Sequence, residues 1–439
     1  MEFQTLKKSH LKRNIIIGIM VIGIISACIL TFTRSKYKNT QSIPLVNGTI
    51  NYSLADLNIV AITVDGSEVD QIPDGNYELT SESYCTVNGE KDSNVKLSYD
   101  STTKGLSVTP MTTKGIKCYL DFEKREMLLA EIVKNDNNIH DEIPYFANVA
   151  TTDEGIYKAE DDWGDSYYFR GAVTNNYVKF AGYYWRIVRI NGDGSIRIIY
   201  DGTSAHANGE SSDDRQIQVS SYNSSYNDNA YVGYMYGSTG ANSYAATHAN
   251  NNNSTIKGVL DNWYTINIAN KRFGDKISKE AGFCNDRGLV GILGYGTNET
   301  SYASVNRFLD VTWTWPNVLN PTLKCNQINN DLYTVSESSK GNKALTYPIG
   351  LITVDEMVFG GGNGRSTNTN YYLYTGQDYW TMTPRNFSNW AIVFYVEKNG
   401  IIGSNISVYS PYGVRPVINL ARDVVIKSGN GTIDTPYEI

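Results

Sequence analysis

The chain has 439 residues, 41% hydrophobic and 12% aromatic, which is enough to fill real cores and excludes a disordered chain. Its formal net charge of −7 is unevenly spread: seven Lys and Arg against Glu2 give residues 1–38 a charge of +6, leaving −13 on the remainder. An acidic remainder without basic blocks is a poor partner for nucleic acid, and the length allows two or three domains.

A basic tail over 1–13 precedes an uncharged, almost wholly apolar run from Ile15 to Phe32. Eighteen helical residues reach about 27 Å, close to the hydrocarbon thickness of a bilayer, so a transmembrane helix is expected over 14–32. Lys and Arg bracket the run on both sides, and the positive-inside rule votes weakly for a cytoplasmic N-terminus. The expectation is a single-pass protein of the cell membrane with residues 39–439 outside. An alternative is a lipoprotein anchored at Cys28, since Ile25-Ser26-Ala27-Cys28 fits such a signal, although Ile29, Leu30 and Phe32 continue the apolar run past the cysteine. The other four cysteines read as disulfides in an exported chain. Of their three connectivities, pairing within domains is favoured: Cys85 with Cys118, and Cys284 with Cys325. Without a Cys-x-x-Cys or a nearby His, neither a metal nor another cofactor is expected.

A polar stalk over 33–46 leads into alternating β patterns over 47–122. These include Leu57–Val64 before the turn Asp65-Gly66, then Tyr77–Thr80, Val95–Tyr99 and Ile116–Leu120. Short strands at this spacing predict a small β-sandwich stapled by Cys85 and Cys118. Residues 123–140 read as a helical linker carrying Met127, Leu128, Leu129, Ile132 and Val133, and a larger domain spans 141–439. That domain opens with a hairpin, Tyr177–Ile190 and Ser195–Tyr200, around Asn191-Gly192-Asp193-Gly194. The loop lacks the acidic spacing of a calcium site. Residues 201–254 are loop-like; Ile256, Val259, Leu260, Trp263 and Ile266 recur at helical spacing; Thr353-x-x-Glu356 is a capping box closed by Gly360-Gly361-Gly362. The end is β again, Trp390–Val396 and Ile401-Ile402 around Lys398-Asn399-Gly400.

The motifs Tyr379-Trp380-Thr381-Met382-Thr383-Pro384 and Tyr412-Gly413-Val414-Arg415-Pro416-Val417-Ile418-Asn419-Leu420 resemble the end of an uncharacterised domain family of Gram-positive and gut-bacterial surface proteins. Phe283–Arg287 and Tyr347–Thr353 fit the same group, and the likeness spans about residues 170–425. Thr381-Met382-Thr383 stands where the family often has leucine-arginine-serine. The resemblance implies a relative of the C-type-lectin fold shared with formylglycine-generating enzymes: about two helices, a small antiparallel sheet and long loops. The fold class expected is therefore α+β and β-dominated, with an N-terminal transmembrane helix, a small β-sandwich and a C-terminal lectin-like domain. Trp380 and Arg415 are expected to be structural.

Catalytic constellations are sparse. His10, His140, His206 and His248 sit in no His-Glu-x-x-His motif, and Gly-x-Ser-x-Gly and a phosphate-binding glycine loop are missing from the sequence. Asp161-Asp162, Asp165 and Asp213-Asp214 read first as solvated loop charge, with calcium or glycosidase carboxylates as the sharper alternative. Cys284 and Cys325 could mimic the reactive pair of the formylglycine enzymes, but a structural disulfide is favoured. The distinctive signal is 33 tyrosines, many beside Asn, Ser and Gly as in Tyr222, Tyr226, Tyr231, Tyr234 and Tyr236. Antibody loops bind with that mixture. Together these readings predict a non-enzymatic surface binding protein for a glycan or protein ligand, contacted by Tyr371, Tyr372, Tyr374, Arg385, Asn386 and Trp390. The alternatives are an exported enzyme, either a formylglycine-type oxidase or a wall hydrolase, and a structural envelope component.

Overall fold

A computed structural model of the chain describes residues 57–73, 77–100, 105–109, 115–291, 293–310 and 312–439. It divides into two compact units with the boundary between Glu126 and Met127.

In the smaller unit, strand Leu57–Val64 runs parallel to Ile116–Lys124, which pairs antiparallel with Tyr77–Leu79 and Tyr84–Val87 on its other flank. The turn Asp65-Gly66 has φ of 51° and 77°, the left-handed pair that a two-residue hairpin needs and that Gly adopts freely. Alternation sends Ile116, Cys118, Leu120 and Phe122 inward. A separate ribbon, Lys96–Asp100 with Gly105–Thr109, adds Leu106 and Val108 to the same core. Where a sandwich is expected, the unit holds a six-stranded mixed sheet and a two-stranded ribbon. Cys85 and Cys118 face each other across neighbouring strands and are bonded.

In the larger unit, helix Leu129–Asn135 buries Leu129 and Val133, and the Leu129 amide donates to Val424 O at 2.9 Å. The stretch expected to link domains is therefore, from Met127 onward, part of this unit's core. A nine-stranded sheet surrounds the predicted hairpin, Tyr183–Ile190 with Ile196–Gly202. Every residue of the second strand is buried, so it is covered on both faces. A seven-stranded sheet is built on the long hairpin Tyr379–Ser388 and Trp390–Val396. Helix Thr255–Tyr264 buries Ile256 and Leu260 as its periodicity predicts. It then widens into a π-helical stretch, Thr265–Ala269, whose i→i+5 winding shifts the face, so Ile268 is buried and Ile266 lies 52% exposed.

Helix Val354–Phe359 is buried at all six positions and carries the capping box: Thr353 Oγ1 accepts from the Glu356 amide at 3.1 Å, and Glu356 Oε2 accepts from the Thr353 amide at 3.0 Å. The Glu356 carboxylate also meets Arg197 at 2.5 Å and Arg189 at 3.2 Å, and Arg189 reaches Asp161 at 2.6 Å. Burial works to raise the Glu356 pKa, but Arg197 and Arg189 outweigh it and hold the carboxyl below its ordinary range.

The expected fold class requires correction. Among the described residues no helix is long and apolar enough to cross a membrane, and the transmembrane helix expected over 14–32 lies outside them, as does Cys28. In place of about two helices in the larger domain, the described residues of 141–439 hold five short α-helical segments, the longest with ten residues. Short turns of helix close loops that single-sequence periodicity, which needs about 11 residues, cannot register.

Glu356→Gln should destabilise the larger unit by about 3–5 kcal/mol, because two buried guanidinium groups lose their shared anion; chemical denaturation read by near-UV circular dichroism measures it. Since folding depresses this carboxyl, its contribution is complete above about pH 4.3 and lost as pH falls through the folded value, and the variant should lack that component of acid unfolding. Replacing Cys85 and Cys118 together by Ser should cost the smaller unit about 2–5 kcal/mol, measured as its loss of amide protection with the larger unit's exchange unchanged.

Candidate ligand-binding site

The expected binding loop before Trp380 is inside the molecule. Tyr371 and Tyr372 are each 0% exposed, Tyr374 is half-buried, and Asn368 donates to Ala150 O and Gly361 O at 2.8 and 3.0 Å. The Tyr372 amide donates to Gly171 O at 3.1 Å, which draws the segment against the nine-stranded sheet. Tyr371 and Tyr372 are core residues, a correction to the surface role expected of them. Of the loop tyrosines further upstream, Tyr222 and Tyr234 are fully buried, Tyr231 and Tyr236 half-buried, and Tyr226 is 45% exposed. Trp380 is buried, its Nε1 donating to Ser220 O at 2.9 Å. Arg415 is buried too: it donates to Tyr200 O and Leu373 O and meets Asp201 at 3.2 Å.

After Trp380 the chain reaches the surface at the tip of the hairpin. Strand Tyr379–Ser388 turns back through the single residue Asn389, whose φ of 63° is one that Asn tolerates, so that Trp390 pairs with Ser388 at the tip. Trp390 is 43% exposed, whereas Ala391 through Val396 are buried. Ala391 then joins two distant loops by its backbone. Its amide donates to Tyr226 O at 2.7 Å, and its carbonyl accepts from the Val408 amide at 3.1 Å. Val408 is buried, which throws the adjacent Tyr409 outward to 59% exposure. The Tyr226 and Tyr409 rings stand 6.0 Å apart, inclined at 64°. Tyr226, Trp390 and Tyr409, with Asn405, Ser407 and Ser410, line an open groove of about 370 Å³. Tyr395 Oη donates to Asn405 Oδ1 at 2.9 Å. The lining holds flat aromatic faces and neutral hydrogen-bonding groups, with no carboxylate, imidazole or thiol. Arg385 and Asn386 lie further along the same hairpin; Asn386 is buried and Arg385 half-buried.

Most of the groups considered for catalysis are committed elsewhere. Asp161 is paired with Arg189, Asp165 with Lys158 at 2.8 Å, and Asp214 with His206 at 2.7 Å. His206 is 4% exposed and also meets Glu210 at 2.9 Å, so its ring lies between two carboxylates. Burial works to raise the Asp214 pKa, but hydrogen bonds from Ser212 and Thr203 and the charge of His206 bring it down to about 2. His248 is buried, bonded to Gly294 O, and burial lowers its pKa well below the ordinary histidine value. Cys284 and Cys325 form a disulfide, and the Cys325 amide donates to Asp162 at 3.1 Å. Beside it lies a cavity of about 30 Å³ lined by Asp162, Arg189, Arg197, Asp286, Arg307 and Glu356, room for about one water molecule. Among the described residues no group of three or more His, Cys, Asp or Glu is placed to hold a metal ion.

This is a β-rich unit with an aromatic groove at the tip of its long hairpin. Residues 353–422 match a domain of unknown function (DUF6273), a stretch that carries Glu356, Trp390, Asn405, Tyr409 and Arg415 but not Tyr226. No curated protein and no solved structure matches the chain. The match supports a domain of unknown function and does not extend to the expected lectin-like or formylglycine-enzyme resemblance.

Sequence reasoning reached Trp390 and Tyr226 but missed Tyr409, which lies in Ser407–Ser410 with the same Ser and Tyr mixture and was open to the same argument. Tyr372→Ala and Trp380→Ala should each destabilise the larger unit by about 3–5 kcal/mol through the cavity left behind, whereas Tyr409→Ala should change stability by less than about 0.5 kcal/mol. Parallel thermal melts of the three variants test the assignment of inside and outside.

Proposed function

We propose that the protein is an exported, non-catalytic binding protein whose larger unit takes a carbohydrate in the groove of Tyr226, Trp390 and Tyr409. The observation that carries the reading is the lining itself: three exposed aromatic rings and three neutral polar side chains around about 370 Å³. That volume falls in the range of small-molecule sites. Sugar rings offer a flat face of C–H groups, which aromatic rings cover, and a rim of hydroxyls, which Asn and Ser meet with donors and acceptors. Hydrolysis would need a carboxylate pair flanking the ligand, and the lining supplies none. The two disulfides support a site of action outside the cytosol.

Titration of the full chain with neutral oligosaccharides should quench or shift tryptophan emission, because Trp390 is solvent-exposed before binding. Trp390→Ala and Tyr409→Ala should each weaken binding by about 1–2 kcal/mol or more, that is about tenfold, with an unchanged melting temperature. Unaltered affinity in both variants would remove the groove from the binding reaction.

A further inference from the structure

The long hairpin carries a second feature that the groove does not use. In a regular strand, consecutive side chains point to opposite faces. The pairing Pro384 with Val393 and Asn386 with Ile392 skips Arg385, which makes it the extra residue of a β-bulge. Bulges re-aim side chains, and here Arg385 Nη1 donates to the neighbouring Asn386 Oδ1 at 2.8 Å, so both side chains share one face. By the register that face is also the one bearing Ile392, Ser388 and Trp390. Arg385 lies three residue steps before Ser388, about 10 Å from the Trp390 end of the hairpin.

The Arg385 guanidinium has lost water without gaining an anion. Its Nε is buried with no partner, and among the described residues it makes no ion pair. Burial alone pushes its pKa down to about 10. By contrast, Arg170, Arg189, Arg197, Arg215, Arg287, Arg307 and Arg415 each meet a carboxylate, and Arg186, which has none, is met by Asn176, Asn208 and the Val173 carbonyl. Arg385 instead stacks on Trp313, its guanidinium carbon 4.5 Å from the ring centroid.

Trp313 is unusual in its own right. It is 45% exposed and has φ of 62°, a conformation that costs a bulky residue about 1–3 kcal/mol and persists only where its surroundings impose it. The clip that imposes it is Asp310: Oδ1 accepts from the Thr312 and Thr314 amides and Oδ2 from Thr314 Oγ1, while the Trp313 amide donates to Asp310 O at 2.9 Å. These bonds hold the Asp310 carboxyl low and committed to its own turn. Below the clip, Trp315 is 8% exposed and packs on Phe308.

We infer that Arg385 and Trp313 form an anionic subsite, in which the carboxylate of an acidic sugar, a uronic or sialic acid, pairs with the guanidinium beside an aromatic wall. The planar guanidinium fork matches a carboxylate in geometry. An anion there supplies the counter-charge that the protein withholds. The chain's net charge of −7 repels anions at long range, so selectivity for an acidic ligand has to come from a local cation of this kind. The inference rests on the carbohydrate reading of the neighbouring groove and names the class of sugar.

The test compares galacturonate oligomers and sialyl-lactose with their neutral counterparts, galactose oligomers and lactose, by calorimetric titration of the full chain. The unmodified protein should prefer the acidic member of at least one pair by about tenfold or more at low salt. The preference should shrink as salt is raised. Which pair shows it distinguishes a uronate from a sialate ligand. Arg385→Gln should abolish the preference while keeping neutral-sugar binding, and Trp313→Ala should reduce it. Trp390→Ala should weaken both members of a pair. Binding of neutral and acidic sugars with equal affinity by the unmodified protein would overturn the anionic subsite and leave the groove standing. Failure to bind any of the four would overturn the carbohydrate reading itself. Both results come from the unmodified protein, so neither depends on a variant folding.

Discussion

The larger unit is organised around one buried carboxylate. Glu356 caps its own helix through the Thr353 amide and at the same time neutralises Arg189 and Arg197 from the central hairpin. Arg189 passes the connection on to Asp161 at the end of Asp153–Asp161, two strands along the sheet. A charge in this position is costly unless every lone pair is used. Using them fixes the helix Val354–Phe359 against the nine-stranded sheet at one height and one rotation. Arg197 also donates to Leu351 O at 3.3 Å, so the chain entering the helix is held by the same cluster.

The same device recurs wherever loops must be buried. Arg170, Arg186, Arg197, Arg215, Arg287 and Arg415 are among the largest fully buried side chains. Irregular segments leave carbonyls without ladder partners, and an unpaired buried carbonyl is costly. One guanidinium offers five N–H donors in a fixed plane. Arg170 serves Val358 O, Phe359 O and Asn148 O; Arg287 serves Met235 O and Asn330 O while paired with Asp331. Arg186 does it without a carboxylate, through Asn176, Asn208 and Val173 O, with Tyr177 stacked 3.7 Å from its guanidinium carbon. Loops fastened in this way can carry a preformed surface site with little ordering cost on binding.

That site owes its shape to the end of a hairpin. The Ser388-Asn389-Trp390 turn leaves Ala391 with a free backbone edge, which recruits Tyr226 and Val408 from loops 165 and 17 residues away in sequence. Behind the groove, Tyr395, Tyr412 and Trp380 form a packed aromatic group with ring centroids 4.9 and 5.1 Å apart for the Tyr395–Tyr412 and Trp380–Tyr412 pairs. The inner rings hold the sheet, while Trp390, Tyr226 and Tyr409, whose segments meet at Ala391, remain open to solvent.

What is local in the chain was legible in the sequence. Asp65-Gly66 dictated a tight hairpin because both residues accept left-handed φ, Thr353-x-x-Glu356 dictated a helix start, and Cys85 with Cys118 and Cys284 with Cys325 paired within their own units. The central hairpin followed from alternation on both sides of a Gly-rich turn. The side on which a loop residue lies was not legible. Tyr371, Tyr372, Tyr226 and Tyr409 share the same Asn, Ser and Gly neighbourhoods, yet the first pair is buried and the second exposed. Loops have no period from which a face can be read, and Ile266 shows that even a helical period fails where a π-helical stretch resets it. Inside and outside are assigned by backbone bonds between segments far apart in sequence, such as Tyr372 to Gly171 and Ala391 to Tyr226, and those exist only once the sheets have formed.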